Sequence, residues 1–313
     1  MPQLQRDETG YWRVVDADDN TPESFLGALD RQLNALEPLF IRAKAVSEFE
    51  FVFCLLRFRG AEDAGWQPYE TSLRAIPAIS NLARDADVEA SKHLAMWLYG
   101  HAMEASEPYE LLANLLNVIG GQRYNSLSNF PPRGNRTPSP GEKISQLHET
   151  AERHGFPEAF PPLVETWDRH FRNAAFHADY SVTRDELRIL NPNRRYTWVQ
   201  FDALVNGAIG YHTAFSSIYK HHVQSYSEAV TIPVHPGWSP DPTERAVTIV
   251  RQDYGLVGIK DAWTRDQVRL EGRIPFRIGT FTRADLALLD ADPTLALLPS
   301  FDDQREAEPP SEV

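Results

Sequence analysis

The chain has 313 residues, of which 42% are hydrophobic and 24% charged; this is the balance of a globular protein long enough to bury a sizeable core in one large domain or two. Its formal net charge of −13 excludes a general coat for nucleic acid, which needs clustered Lys and Arg. No apolar run reaches the roughly 18 residues of a membrane helix, and the single cysteine, Cys54, excludes an internal disulfide.

The opening residues Met1–Glu8 have neither a basic n-region nor an apolar h-region, so no secretory signal is expected. With one cysteine, best read as a small buried hydrophobe, the expectation is a cytoplasmic protein with no membrane partner. Residues 1–20 read as an irregular lead-in, with at most a short strand around Tyr11–Val15. Thr21, Pro22 and Glu23 then supply a cap, a first-turn proline and an acid for a helix start. Leu26, Leu29, Leu33 and Leu36 continue it at helical spacing, and Pro38 is expected to end or kink it. A second apolar helix is predicted from about Ile41 to Phe58, and a third over 69–85, kinked or interrupted at Pro77. Asp87 to Met103 continues in helix. Ser106-Glu107-Pro108 reads as serine cap, acid and proline opening a helix that Gly120-Gly121 stops.

Residues 122–141 are rich in Asn, Ser, Pro and Gly and read as a long loop. A helix over Glu142–His154 follows. Pro161 and Pro162 then open one predicted helix that carries Leu163, Val164, Trp167, Phe171, Ala174 and Ala175 on to residue 178. Ser181–Thr183 and Leu187–Leu190 read as a small hairpin closed by Asn191-Pro192-Asn193, and a long helix spans 197–226. Frequent proline marks a linker near 230–243. Short β-leaning runs over 244–300, with one short helix at Arg283–Leu289, form a small β-rich appendage; 301–313 is an acidic tail with no apolar face, expected to be disordered. The organisation predicted is thus a lead-in (1–20), an N-terminal helical region (21–89), a helical bundle (90–228), the β appendage and the tail.

One stretch carries chemistry: His170-Phe171-Arg172-Asn173-Ala174-Ala175-Phe176-His177-Ala178-Asp179-Tyr180. Arg172 offers five donors in a fork that fits a phosphate, and His177 is the side chain best able to move a proton near neutral pH. Arg169, Arg172, Arg184, Arg188, Arg194 and Arg195 oppose few acids, which makes this segment the best local basic cleft in an acidic chain. Blander readings exist for each residue. His177 can cap a helix C-terminus, and Arg172 can pair with Asp168 at i,i+4. Five residues turn an ideal helix through about 500°, so Arg172 and His177 lie about 140° apart around its axis and share no face unless the helix ends or bends between them.

The run R-N-A-A-F-H-A-D-Y, followed by a hairpin and a further helix, closely resembles the R-(polar)-x(3–5)-H signature of the HEPN superfamily (higher eukaryotes and prokaryotes nucleotide-binding), over roughly residues 90–226. The resemblance implies a mainly α fold: a HEPN-like helical bundle with additional N-terminal helices and a small β-containing C-terminal part. It implies a metal-independent endoribonuclease with no cofactor, similar to prokaryotic toxins and antiviral defence effectors. Arg172, Asn173 and His177 would be catalytic, and His170, Arg169 and Tyr180 would contact RNA. It also implies a homodimer, in which two motif helices meet and line one composite cleft, with Ala174, Ala175 and Ala178 permitting close approach, and an antitoxin or regulatory protein as a further partner. The alternative is a non-catalytic module of the same type that binds nucleotide, RNA or a protein.

Other candidates are weaker. His212, His221 and His222 have no Cys, Asp or Glu at metal-like spacing. Gly120-Gly121 and Gly207-x-x-Gly210 lack the preceding strand of a phosphate-cradling loop, and Ser126 and Ser128 have no nucleophile elbow around them. Trp97, Trp167 and Trp198 recur with other apolar residues at helical spacing and read as core.

Overall fold

The computed structural model describes residues 3–6, 12–17, 21–56, 68–132, 134, 136–239, 241–251, 256–261 and 277–280. The predicted helix at 283–289, the tail at 301–313 and part of the β-leaning stretch 244–300 lie outside these residues. The protein is mainly helical with a small share of sheet, as expected. Its contacts divide into two units, Met1–Arg42 with Arg59–Tyr219, and Ala43–Phe58 with Lys220–Val313.

The first unit begins with an antiparallel hairpin, β1 (Gln3–Arg6) and β2 (Trp12–Asp16), where an irregular lead-in with at most one short strand around Tyr11–Val15 was expected. Two polar contacts pin it to helix α1 (Glu23–Val46): the Trp12 indole donates to Glu37 Oε2 at 3.0 Å, and Arg6 pairs with Glu37 Oε1 at 2.9 Å. Leu29, Leu33 and Leu36 are fully buried, as their spacing predicts, but α1 does not stop at Pro38. Leu39, Phe40 and Ala43 beyond the proline are also fully buried. Their burial, worth about 1.5–3 kcal/mol for each large side chain, offsets the backbone hydrogen bond that Pro38 removes. Helix α3 (Pro68–Asp85) likewise runs through Pro77, with Ile76 buried beside it.

Helix α4 (Val88–Glu104) is capped by Asp87, whose carboxylate accepts from the amides of Glu89 and Ala90. Helix α5 (Ser106–Ile119) starts one residue earlier than its serine cap implied: Ala105 is the N-cap and makes no side-chain cap bond. It ends at Gly120 as expected, and Gly121 takes a φ of +76° that suits glycine. The loop that follows is tied back to α5. Asn114 and Asn125 exchange two hydrogen bonds at 2.8 and 3.2 Å, and Glu110 accepts from Ser128 Oγ and the Asn129 amide. Helix α6 (Pro140–Arg153) opens with a capping box between Ser139 and Glu142.

The single helix expected over 161–178 is two. Helix α7 (Pro161–Thr166) ends at Trp167, and α8 (Arg169–His177) starts afresh behind Asp168. The predicted hairpin gains a third strand: β3 (Tyr180–Val182), β4 (Glu186–Ile189) and β5 (Arg194–Thr197) form an antiparallel sheet that buries Leu187, Ile189 and Tyr196. Helix α9 (Trp198–Gln224) begins directly after it. Gly207 and Gly210 mark close packing. A Cβ on Gly207 would fall 2.7 Å from Thr166 Oγ1, and one on Gly210 would fall 3.1 Å from the Leu29 amide nitrogen.

In the second unit, Ser47 separates α1 from α2 (Glu48–Leu56), where one helix was expected; its hydroxyl accepts from the Glu50 amide. A four-stranded antiparallel sheet runs in the order β6 (Val230–Pro233), β7 (Arg245–Arg251), β8 (Leu256–Asp261) and β9 (Arg277–Thr280). It takes its first strand from the stretch expected to be linker. Helix α2 packs against β6 and β8. Phe53 stacks on Trp238 with centroids 5.4 Å apart, and the buried Glu50 accepts from the Trp238 indole at 3.1 Å. Cys54 is buried, as expected, and burial pushes its thiol pKa well up.

Candidate functional site

Helix α8 is fixed from its N-terminus. Asp168 Oδ1 accepts from the amides of His170 (2.8 Å) and Phe171 (3.0 Å), filling two of the donors that a helix start leaves open. Asp168 Oδ2 accepts from the Tyr196 hydroxyl at 2.9 Å, and Arg194 Nη1 lies 4.0 Å away. The Asp168 amide donates to Tyr99 Oη at 2.7 Å, and that hydroxyl donates to the Thr166 carbonyl at 3.1 Å. Burial, and then the neighbouring Asp168 charge, push the Tyr196 hydroxyl pKa up to about 12. Phe171 is fully buried and meets Tyr99, Tyr196 and Phe201 edge-on at 4.8–5.5 Å. Asp168 is therefore the cap of α8 and the partner of Tyr196; the i,i+4 pairing with Arg172 does not form.

Arg172 pairs instead with Glu104, the last residue of α4. Arg172 Nε donates to Glu104 Oε1, Nη1 donates to Asn173 Oδ1 at 2.9 Å, and the guanidinium carbon sits 5.1 Å from the centre of the Phe176 ring. Nη2 has no partner among the described residues. Phe176 can lie there because residue 100 is glycine: a Cβ on Gly100 would stand 2.8 Å from Phe176 Cε2. Three contacts thus hold the guanidinium and leave one of its donor nitrogens to bind.

Arg172 and Asn173 face a cavity of about 840 Å³ between α8, Trp167 and the first turns of α6. Arg169, Gln146 and Arg136 also line it. Arg136 makes a two-pronged pair with Glu142 at 2.6 and 2.7 Å, and this pair with the Ser139 cap holds the Glu142 carboxyl well below the usual range. His177, the last residue of α8, is exposed, and its ring has no hydrogen bond among the described residues. The helix closes just behind it at Ala178, whose φ is +55°. Tyr180 opens β3, and its hydroxyl lies 2.6 Å from His93 Nδ1; burial raises its pKa.

The structure therefore brings three of the six expected residues, Arg169, Arg172 and Asn173, to one cavity. It leaves His170, His177 and Tyr180 off the cavity wall. Because α8 is helical without a break from Arg172 to His177, the separation around the helix axis stands. Sequence reasoning missed Glu104, which lies 68 positions from its partner. It also misassigned tryptophans. Trp167 is half-buried and lines the cavity instead of filling a core, and Trp97 is 40% exposed, stacked on His101. Among the described residues no group of three His, Cys, Asp or Glu side chains is placed to hold a metal ion, and no helix is long and apolar enough to cross a membrane. Comparison with protein-family models, with curated proteins and with solved structures finds no match to this chain.

Proposed function

We propose that the chain is a metal-independent endoribonuclease of the HEPN type that acts as a homodimer, with a toxin or antiviral defence role. The observation that carries the reading is the state of Arg172. It is held by Glu104 and Phe176 beside Asn173 on a cavity wall, and its Nη2 has no partner among the described residues.

RNA brings its own nucleophile. The 2′-oxygen attacks the adjacent phosphorus and the P–O5′ bond breaks, leaving a 2′,3′-cyclic phosphate and a 5′-hydroxyl. His177 takes the 2′-proton or delivers one to the departing 5′-oxygen. Arg172 donates to the phosphate oxygens and offsets the charge that builds on them in the transition state. Asn173 fixes the guanidinium through its Oδ1 and keeps its amide N–H₂ for substrate. Since Arg172 and His177 project from different sides of α8, a second copy supplies the missing group in a shared cleft.

The test is incubation of the protein with total RNA and with tRNA in EDTA, beside Arg172→Ala and His177→Ala. Cleavage by the wild type, lost in both variants, supports the reading. No cleavage, or equal cleavage by the variants, ends it. Two observations favour a second reading, a non-catalytic module binding nucleotide, RNA or a protein: within one chain Arg172 is already paired to a carboxylate, and His177 stands off the cavity. Binding of RNA without cleavage would select it.

A further inference from the structure

We propose that the cavity is a base-stacking subsite: Trp167 is the platform for one unpaired nucleobase, and the phosphate of that nucleotide lies against Arg172 and Arg169. This rests on the RNA reading of the site and adds the substrate class, single-stranded RNA.

Trp167 differs from the other indoles among the described residues. Trp12, Trp198 and Trp238 each donate from Nε1 to a protein oxygen at 2.9–3.1 Å, and Trp97 stacks on His101. Trp167 has no ring partner and no hydrogen bond from Nε1 among the described residues, yet it is half-buried on a cavity wall. A buried indole ordinarily finds a partner for its N–H. The chain makes room for this one: a Cβ on Gly141 would fall 2.4 Å from Trp167 Nε1, so only glycine lets the ring lie where it does.

The wall also carries the carboxylates Glu142, which is held by Arg136, and Glu149, but four of its side chains suit a nucleotide. Arg169 and Arg172 supply guanidinium donors at one side. Among the described residues the Gln146 side-chain amide has neither its donor nor its acceptor taken, and Asn173 Nδ2 has no partner, since Arg172 engages only the Oδ1. Amides of this kind can pair with the edge of a base, and an indole face stacks on any base. A base within a duplex cannot enter such a cavity, so the substrate is single-stranded or looped.

The experiment uses the full chain and a 2′-deoxy trinucleotide, which has no nucleophile and cannot be cleaved, beside the same trinucleotide with its central base removed. The expected result is that the intact probe binds the wild type and the abasic probe binds about ten-fold more weakly or worse. Trp167→Leu should show the same loss for the intact probe, Trp167→Phe should stay within about three-fold of wild type, and Gly141→Ala should weaken binding by displacing the ring. Equal binding of the two probes, or no binding of either, overturns the proposal without needing any variant to fold. RNA cleavage is measured separately. Base-dependent binding without cleavage leaves this subsite standing and ends the ribonuclease reading. Cleavage that persists in Trp167→Leu with unchanged KM does the reverse.

Discussion

Glu104 Oε1 accepts the Nε hydrogen of Arg172, so the last residue of α4 orients the central cation of α8. A guanidinium without that anchor rotates about four side-chain bonds. With it, and with Asn173 and Phe176 on its other sides, the free edge keeps one direction. On the ribonuclease reading, Glu104→Ala should therefore lower RNA cleavage by more than it lowers stability. The side chains are 28% and 32% exposed, and exposed or half-exposed pairs contribute about 0.2–1 kcal/mol. Urea denaturation checks that small loss, and single-turnover cleavage checks the larger one. Glu104→Gln, which keeps an acceptor oxygen, should recover part of the rate. An alanine variant that cleaves like wild type removes Glu104 from the site.

Gly100→Ala reaches the same cation from another side. Its new Cβ stands 2.8 Å from Phe176 Cε2, and Phe176, 47% exposed, can swing outward instead of forcing the backbone apart. The alanine also favours α4 by about 0.5–1 kcal/mol relative to glycine. Stability should then change little, while Arg172 loses its aromatic support and, on the same ribonuclease reading, cleavage falls. A variant that is badly destabilised would show that Phe176 is locked in place.

The helical skeleton was largely legible, because buried leucines at three- and four-residue spacing on α1 and the glycine stop of α5 are local signals. What was hidden depended on partners distant in sequence. Pro38 reads as a stop until the burial of Leu39, Phe40 and Ala43 is known. Asp168 has the composition of an N-cap, but its place inside an apparently continuous apolar pattern made it look like a partner for Arg172. The third strand, Arg194–Thr197, shows no apolar alternation, since only Tyr196 turns inward. At the site, the motif residues were visible as chemistry, while Glu104 and the room that Gly141 leaves for Trp167 exist only in three dimensions.

Asp168→Ala should cost about 0.5–2 kcal/mol from the cap alone, and more through the stranded Tyr196 hydroxyl. Asp168→Asn keeps an acceptor at the cap and should recover most of it. Thermal or urea midpoints of the two variants decide between a capping role and none.

Tyr196 links that cap to alkaline pH. Its folded-state pKa is raised from 10.0 to about 12. The stabilisation is complete below pH 10 and falls between about pH 10 and 12, where the unfolded chain gives up a proton that the folded chain keeps. Tyr196→Phe should make the alkaline slope shallower, although Tyr99, Tyr109 and Tyr226, raised by burial too, keep part of it. His101 works at the acid end. Burial lowers its pKa below 6.5, so stability is full above 6.5 and declines as pH falls through the lowered value, where the unfolded chain binds a proton and the folded one resists. Urea midpoints of His101→Gln should therefore depend less on pH below 6.5 than those of wild type.

The separation of Arg172 and His177 around α8 gives the sharpest test of a shared cleft. If each reaction centre takes Arg172 from one copy and His177 from the other, Arg172→Ala and His177→Ala proteins are each inactive alone. Mixed and allowed to exchange subunits, they form about half heterodimers, each with one complete centre, and about a quarter of wild-type activity should return. No recovery despite proven exchange means that one chain must supply both groups, or that the cleft needs both copies of each. Activity in either variant alone removes that residue from the chemistry. Sedimentation of the wild type as a strict monomer at micromolar concentration would count against the shared cleft before any variant is made.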